Sequence, residues 1–183
     1  MISLRRARTA DAAAIGAVHV AAWRSTYPGI LPDAYLARLS VARQAAQYDM
    51  AIRAGAGVYV VVASGLDVPG GAGARVVGFT TVGRSRTPAL GEGEIETLYV
   101  LDDWRDRGLG RRLMRAAASH LVAGGCCSAF VWVLTGNPSR WFYQHLGGKP
   151  VAEGQVRMAG ACIAQTAYAW DPIDRLIAAS PAP

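Results

Sequence analysis

Apolar positions along the chain follow two rhythms, and the switches between them mark out its elements. Residues 2–7 can serve as a first strand, and Ile15, Val18, His19 and Ala22 then share one face of a helix over 11–25 that Thr9 or Asp11 can cap. Two more helices follow over 33–39 and 41–54, the first opened by Pro32 and the second closed by Gly55. Strands at 58–63 and 75–83 flank a glycine-rich connection at 64–74 that predicts a mobile hairpin loop, and 84–91, with Pro88, makes a second loop. Residues 95–101 are apolar and β-branched enough for a buried strand. From there Leu109, Leu113, Ala116, Ala117, His120 and Leu121 recur at helical spacing until Gly124-Gly125 ends the helix. A strand at 128–134, a short helix at 140–146 and a last hairpin of 149–153 with 163–170, unevenly connected, complete the pattern. Residues 1–175 are expected to form one domain without repeats or linkers, and 176–183, with Pro181 and Pro183, a flexible tail.

The junction between the strand at 95–101 and the helix after it carries the densest chemistry. It reads Arg105-Asp106-Arg107-Gly108-Leu109-Gly110. Two glycines let the backbone turn tightly and approach a ligand, and the amides that open the helix have no partner within it. With the helix dipole and Arg105, Arg107, Arg111, Arg112 and Arg115 nearby, a phosphate or pyrophosphate suits the place. A Walker loop is excluded because Gly-Lys-Ser/Thr is missing, and a dinucleotide fingerprint because the third glycine and the downstream acid are missing. The loop at 64–74 lies between two strands and opens no helix, so the phosphate argument does not extend to it.

The pattern Arg105-x-x-Gly108-x-Gly110 after a strand ending Leu98-Tyr99-Val100 resembles the acetyl-CoA loop of the GNAT superfamily of N-acyltransferases. A second stretch agrees with it. Asn137-Pro138-Ser139-Arg140-Trp141-Phe142-Tyr143-Gln144-His145-Leu146-Gly147-Gly148 is similar to that superfamily's segment after the fifth strand. The resemblance implies the GNAT fold, an α/β (α+β) domain with a mixed, mostly antiparallel sheet of about seven strands and helices on both faces. It further implies acetyl-CoA as cofactor and transfer of its acetyl group to a primary amine. The backbone of Leu98, Tyr99 and Val100 is expected at the thioester carbonyl and pantetheine, in a strand that splays from its neighbour. Arg105, Asp106, Arg107, Gly108, Leu109, Gly110 and Arg111 are expected at the pyrophosphate, with Asn137 hydrogen bonding the cofactor arm or starting its helix.

Direct acetyl transfer needs a deprotonated amine and a proton for the departing thiolate. Tyr143 is the candidate proton donor, since a phenol near pKa 10 stays protonated at neutral pH. Phe142, before it, reads as core. Glu94 and Glu96 are candidate bases: two apart on a strand, they face one side, and a GNAT branch keeps a glutamate at the place of Glu94. At roughly 3.3 Å per residue Glu96 is about 7 Å and Glu94 about 13 Å from Leu98, favouring Glu96 for contact and Glu94 for action through water. Glu92 is a third carboxylate able to attract a cationic amine.

The acceptor is expected against the aromatic stretch Trp23-Arg24-Ser25-Thr26-Tyr27-Pro28-Gly29-Ile30-Leu31-Pro32, with Trp23 and Tyr27 as substrate-binding residues and Ile30 and Leu31 packing inward or lining a cleft. This loop, with Ala167-Tyr168-Ala169-Trp170, resembles a bacterial GNAT subgroup associated with small amines such as polyamines. A polyamine-like or amino-acid-like small molecule is therefore expected, with a protein N-terminus or lysine as the alternative acceptor and a non-catalytic acyl-CoA sensor as the alternative class.

Composition narrows the setting. At 183 residues and 52% hydrophobic content, a chain with no run of about 18 apolar residues predicts one ordinary core and no membrane span. Its start lacks the order of a signal peptide. Cys126, Cys127 and Cys162 form neither a disulfide framework nor a metal spacing, and His19, His120 and His145 stand singly. A reducing cytoplasm and no metal are expected. The net charge of +6 raises nucleic acid as a partner, but five of nineteen basic residues lie in 105–115, where a pyrophosphate accounts for them. A homodimer is plausible from the resemblance alone.

Overall fold

The computed structural model describes residues 1–68 and 73–180, with Leu66 described by its backbone alone. The element order is β1 (Ile2–Arg6), α1 (Ala12–Thr26), α2 (Asp33–Ala37), α3 (Val41–Arg53), β2 (Gly57–Ser64), β3 (Ala74–Arg84), β4 (Gly93–Val100), α4 (Leu109–Ala123), β5 (Ala129–Leu134), α5 (Arg140–His145), β6 (Lys149–Met158), β7 (Ala161–Trp170) and α6 (Asp174–Ala179). The strands form one seven-stranded sheet in the order β1-β2-β3-β4-β5-β7-β6. Every neighbouring pair is antiparallel except β4 and β5.

Helices cover both faces because each carries one apolar stripe. On one face Ile15 and Val18 of α1 bury against Val58, Val60 and Phe79, with Tyr48 of α3. On the other, Met114, Ala117 and Leu121 of α4 bury against Ile95 and Val131. Two glycines permit these approaches. A Cβ at Gly16 would lie 2.8 Å from the backbone of α3, and one at Gly93 would lie 2.6 Å from the Leu121 side chain.

Two stretches differ from the sequence expectation. The uneven connection expected before residue 163 is instead continuous strand, β6 running to Met158 and β7 starting at Ala161 with Met158 paired to Ala161. Ala159 and Gly160, both at positive φ, make the two-residue turn that matches the twist of such a hairpin. The cue was weak, because Ala-Gly lacks the Asn or Asp that advertises this turn. The expected tail at 176–183 is ordered as far as Ser180, since α6 buries Leu176 completely and packs on α4. Arg115 of α4 donates to Ile177 O at 3.1 Å and Ser180 O at 2.9 Å, satisfying carbonyls that end the helix. The rest of that tail lies outside the described residues. So does 69–72 of the loop expected to be mobile; its first part is a single 3-10 turn at Gly65–Asp67, followed by buried Val68.

His19 links both helices of its layer. Its Nδ1 shares a hydrogen bond of 2.7 Å with the Tyr48 hydroxyl, and its ring stacks on Trp23 at 4.9 Å.

Replacing Leu176 by Ala should cost about 2–4 kcal/mol in urea denaturation, while Val122→Ala on the exposed side of α4 stays within about 0.5 kcal/mol. Equal costs would deny α6 a place in the core. A second expectation concerns pH. Burial lowers the His19 pKa from 6.5 to about 4, so the unfolded chain takes up this proton first as pH falls. The stability contributed by the neutral imidazole is complete above pH 6.5 and is lost progressively towards pH 4, on the order of 3 kcal/mol. A His19→Gln variant should show a correspondingly smaller fall between pH 7 and 4.5 than the parent; parallel curves would contradict this.

Candidate active site

The site begins where two parallel strands part. β4 and β5 pair only at Gly93 with Ala129 and Glu94 with Phe130, after which Thr97, Leu98, Tyr99 and Val100 face Val131, Trp132, Val133 and Leu134 across a cleft of about 780 Å³. On its other edge β4 keeps its pairing with β3, but with one irregularity. Thr81 is opposite Thr97 and Val82 opposite Ile95, so Glu96 is an extra residue with no partner. The bulge resets the alternation: Ile95 and Leu98, three apart, both pack towards α4, while Tyr99 joins the α1 face. Thr97 Oγ1, next to the bulge, accepts from Thr81 N at 3.1 Å, and its carbonyl accepts from Thr80 Oγ1 at 2.7 Å. Those bonds fix the irregular strand in place.

At the far end of the cleft the chain turns into α4. Asp106 has φ 60° and Gly108 φ 73°, the left-handed region that favours glycine and that aspartate tolerates, and Gly108 is the residue before the helix. The cleft is lined here by Arg105, Asp106, Gly108, Leu109, Gly110 and Arg111. A Cβ at Gly110 would come within 3.1 Å of the Phe142 ring, so the lack of a side chain is what lets α5 close onto this turn. Helix-opening amides flanked by two guanidinium groups suit a pyrophosphate.

The expected arginine cluster is divided among different tasks. Arg105 pairs with Asp102 at 2.8 Å and donates to Thr26 Oγ1 at 3.1 Å, tying the loop to the end of α1. Arg107 is directed elsewhere: its guanidinium lies 4.7 Å over the buried Trp104 ring, and it does not line the cleft. Arg115 holds α6, and Arg112 lines a separate shallow depression beside Leu4. Of the five, Arg105 and Arg111 face the cleft.

α5 brings Tyr143 to the wall. The residue is buried, stacked on Tyr168 and edge-on to Trp170, each with ring centres 6.4 Å away, and Trp170 Nε1 donates to Leu146 O at 2.8 Å to hold the helix end. Burial first, and the neighbouring Tyr27 second, push the Tyr143 pKa well above its ordinary value. Phe142, expected in the core, is half-buried and lines the cleft. Asn137 does line it, but its side chain is engaged: Oδ1 accepts from Ser139 N at 2.9 Å, and Nδ2 donates to the Tyr27 hydroxyl at 3.4 Å. Ser139, rather than Asn137, is the residue that precedes α5.

On the acceptor side the aromatic stretch acts both as plug and as lining. Tyr27 and Leu31 are buried in a cluster with Leu36 and Leu134, while Trp23, Thr26 and Tyr27 line the cleft. The carboxylates separate. Glu96 lines the cleft; Glu94, half-buried, does not, and its pKa is raised by burial and by the charge of Glu96. Glu92 does not line the cleft: its carboxylate accepts from Cys127 N at 2.6 Å and its own N–H donates to Ser128 Oγ at 3.0 Å. These bonds clip the start of β4 to β5.

Trp132, Val156, Met158 and Gln165 also line the cleft, and the sequence reading did not single them out. Three of them belong to the hairpin whose length was underestimated. The alternation Gly154, Val156, Met158 was the available cue.

The comparisons agree with this geometry. Residues 20–147 match the model of the Acetyltransferase (GNAT) family. The uncharacterized N-acetyltransferase YuaI of Bacillus subtilis (strain 168) is 33% identical over 177 residues, 96% of each chain. A GCN5-related N-acetyltransferase from Rhodopseudomonas palustris shares the fold at TM-score 0.69 and 21% identity, over 92% of this chain and 94% of that one. The PaiA N-acetyltransferase of Thermoplasma acidophilum, solved in complex with coenzyme A, does so at TM-score 0.64 and 15% identity, over 91% and 98%. Among the described residues no helix is long and apolar enough to cross a membrane. With a family model covering more than half its length and a full-length relative at this identity, the chain belongs to the GNAT acetyltransferase family.

Proposed function

We propose that the protein transfers the acetyl group of acetyl-CoA directly to the primary amine of a small molecule. The observation that carries this reading is the convergence on one cleft of an unpaired strand edge, a glycine turn opening a helix, a buried tyrosine and a carboxylate on a bulge. Bound there, acetyl-CoA supplies the acetyl thioester. The amides of 106–111 with Arg105 and Arg111 hold its pyrophosphate, and the backbone of Leu98, Tyr99 and Val100 takes the hydrogen bonds of its pantetheine arm and polarises the carbonyl. The second N–H of the Asn137 amide serves the same arm.

Glu96 accepts the proton of the incoming ammonium, and Glu94, whose pKa is raised by burial and by the charge of Glu96, relays it through water. Tyr143 holds a proton on its hydroxyl and passes it to the departing thiolate. Its raised pKa does not defeat this role, because the same apolar walls also raise the thiol's affinity for a proton. Trp23 and Tyr27 bind the acceptor.

Tyr143→Phe and Glu96→Gln should each lower kcat by about 10²-fold or more in a thiol-release assay, with acetyl-CoA affinity unchanged by calorimetry. Glu94→Gln should have the smaller effect at neutral pH and should shift the acidic limb of kcat/KM downwards, as the group with the raised pKa is removed. Wild-type turnover in Tyr143→Phe would eliminate the acid role. Gly110→Val, which drives a side chain into Phe142, should weaken acetyl-CoA binding; unchanged calorimetric affinity would contradict the pyrophosphate assignment.

A further inference from the structure

The acceptor half of the cleft is far less polar than the half at α4. Beyond Glu96 it is walled by Trp132 and Leu134 of β5, by Gln165 of β7 and by Val156 and Met158 of β6, facing Trp23. Two carboxylates line the whole cleft, Glu96 and Asp106, and Asp106 sits in the glycine turn at the other end. Thus one carboxylate serves the acceptor.

Glu96 leans to the β3 side, its Oε1 4.0 Å from Arg86 Nη2 at the exposed rim. The Trp132 ring leans the other way, against β6 where Gly154 has no side chain; a Cβ there would be 3.2 Å from it. An ammonium at Glu96 meets a carboxylate, and beyond it the wall is aromatic and aliphatic. A second or third ammonium further along would lie against Leu134, Val156 and Met158 with the uncharged Gln165 amide and no carboxylate, and a charge removed from water without a counter-charge is disfavoured. An apolar body gains from the same surfaces.

Resting on the acetyltransferase reading above, we propose that the acceptor is a monoamine carried on an apolar body, an arylalkyl or alkyl amine, seated with its ammonium at Glu96 and its body against Trp132, Val156 and Met158. Polyamines are selected against by the β6 wall.

The test pairs binding with turnover. Protein saturated with coenzyme A is titrated calorimetrically with 2-phenylethylamine, hexylamine and spermidine, and the same amines, with a basic peptide, are run in a thiol-release assay with acetyl-CoA. The two apolar amines should bind and should exceed spermidine in kcat/KM by about tenfold or more. Met158→Glu, which supplies a second carboxylate on the exposed hairpin, should move that ratio towards spermidine by about tenfold while coenzyme A affinity stays unchanged. If the variant does not fold, the wild-type comparison decides. A preference for spermidine or the peptide would overturn the inference and leave acetyl transfer standing. Binding of phenylethylamine with no turnover of any amine would support the apolar subsite and sink the acetyltransferase reading. No amine bound or acetylated would overturn the inference.

Discussion

The structure depends on one interrupted ladder. β4 and β5 are held together at their beginning by the Glu92 carboxylate on Cys127 N, by Ser128 Oγ on Glu92 N, and by Gly93 N donating to Ser128 O at 3.0 Å. Two residues later they separate, and backbone groups of β4 that a continuous sheet would pair are left facing a cleft. Unpaired backbone groups away from bulk water demand partners, and a ligand able to run along the strand supplies them. The bulge at Glu96 is the matching feature on the opposite edge, where the extra residue lets β4 bend while its pairing with β3 continues.

From that opening the cleft acquires two ends of different chemistry. Towards α4 it has helix-opening amides, Arg105 and Arg111; towards the β6–β7 hairpin it has one carboxylate, aromatic rings and aliphatic side chains. A molecule joining a phosphate-rich handle to a reactive group near the strand edge fits the first end, and an amine fits the second. Tyr143 stands between them, its hydroxyl kept protonated by burial against Tyr168 and Trp170.

Much of this was legible in the sequence because the signals were local. Gly108 and Gly110 advertised a tight turn into a helix with room for a close approach, the stripe of α4 declared its buried face, and the opening helix with Ile15, Val18 and His19 was found almost to the residue. What stayed hidden needs knowledge of neighbours. Nothing in Glu94-Ile95-Glu96 shows that the second glutamate is unpaired, because the bulge is defined by the register against β3. Arg107, Arg112 and Arg115 look like phosphate ligands in one dimension, yet Trp104 and α6 claim two of them. Leu176 and Ile177 read as tail because six residues are too few to show a helical stripe, and their burial depends on α4. Val156 and Met158 became wall residues only when the hairpin proved longer than its turn signal implied, and Trp132 of β5 only when its strand parted from β4.

Amide hydrogen exchange with and without coenzyme A tests the central claim, that the free edge of β4 receives the cofactor. Peptides covering 97–100 and 105–111 should both slow on binding, while 75–80 in the fully paired β3 changes little. Protection confined to 105–111, with exchange at 97–100 unaltered, would contradict it.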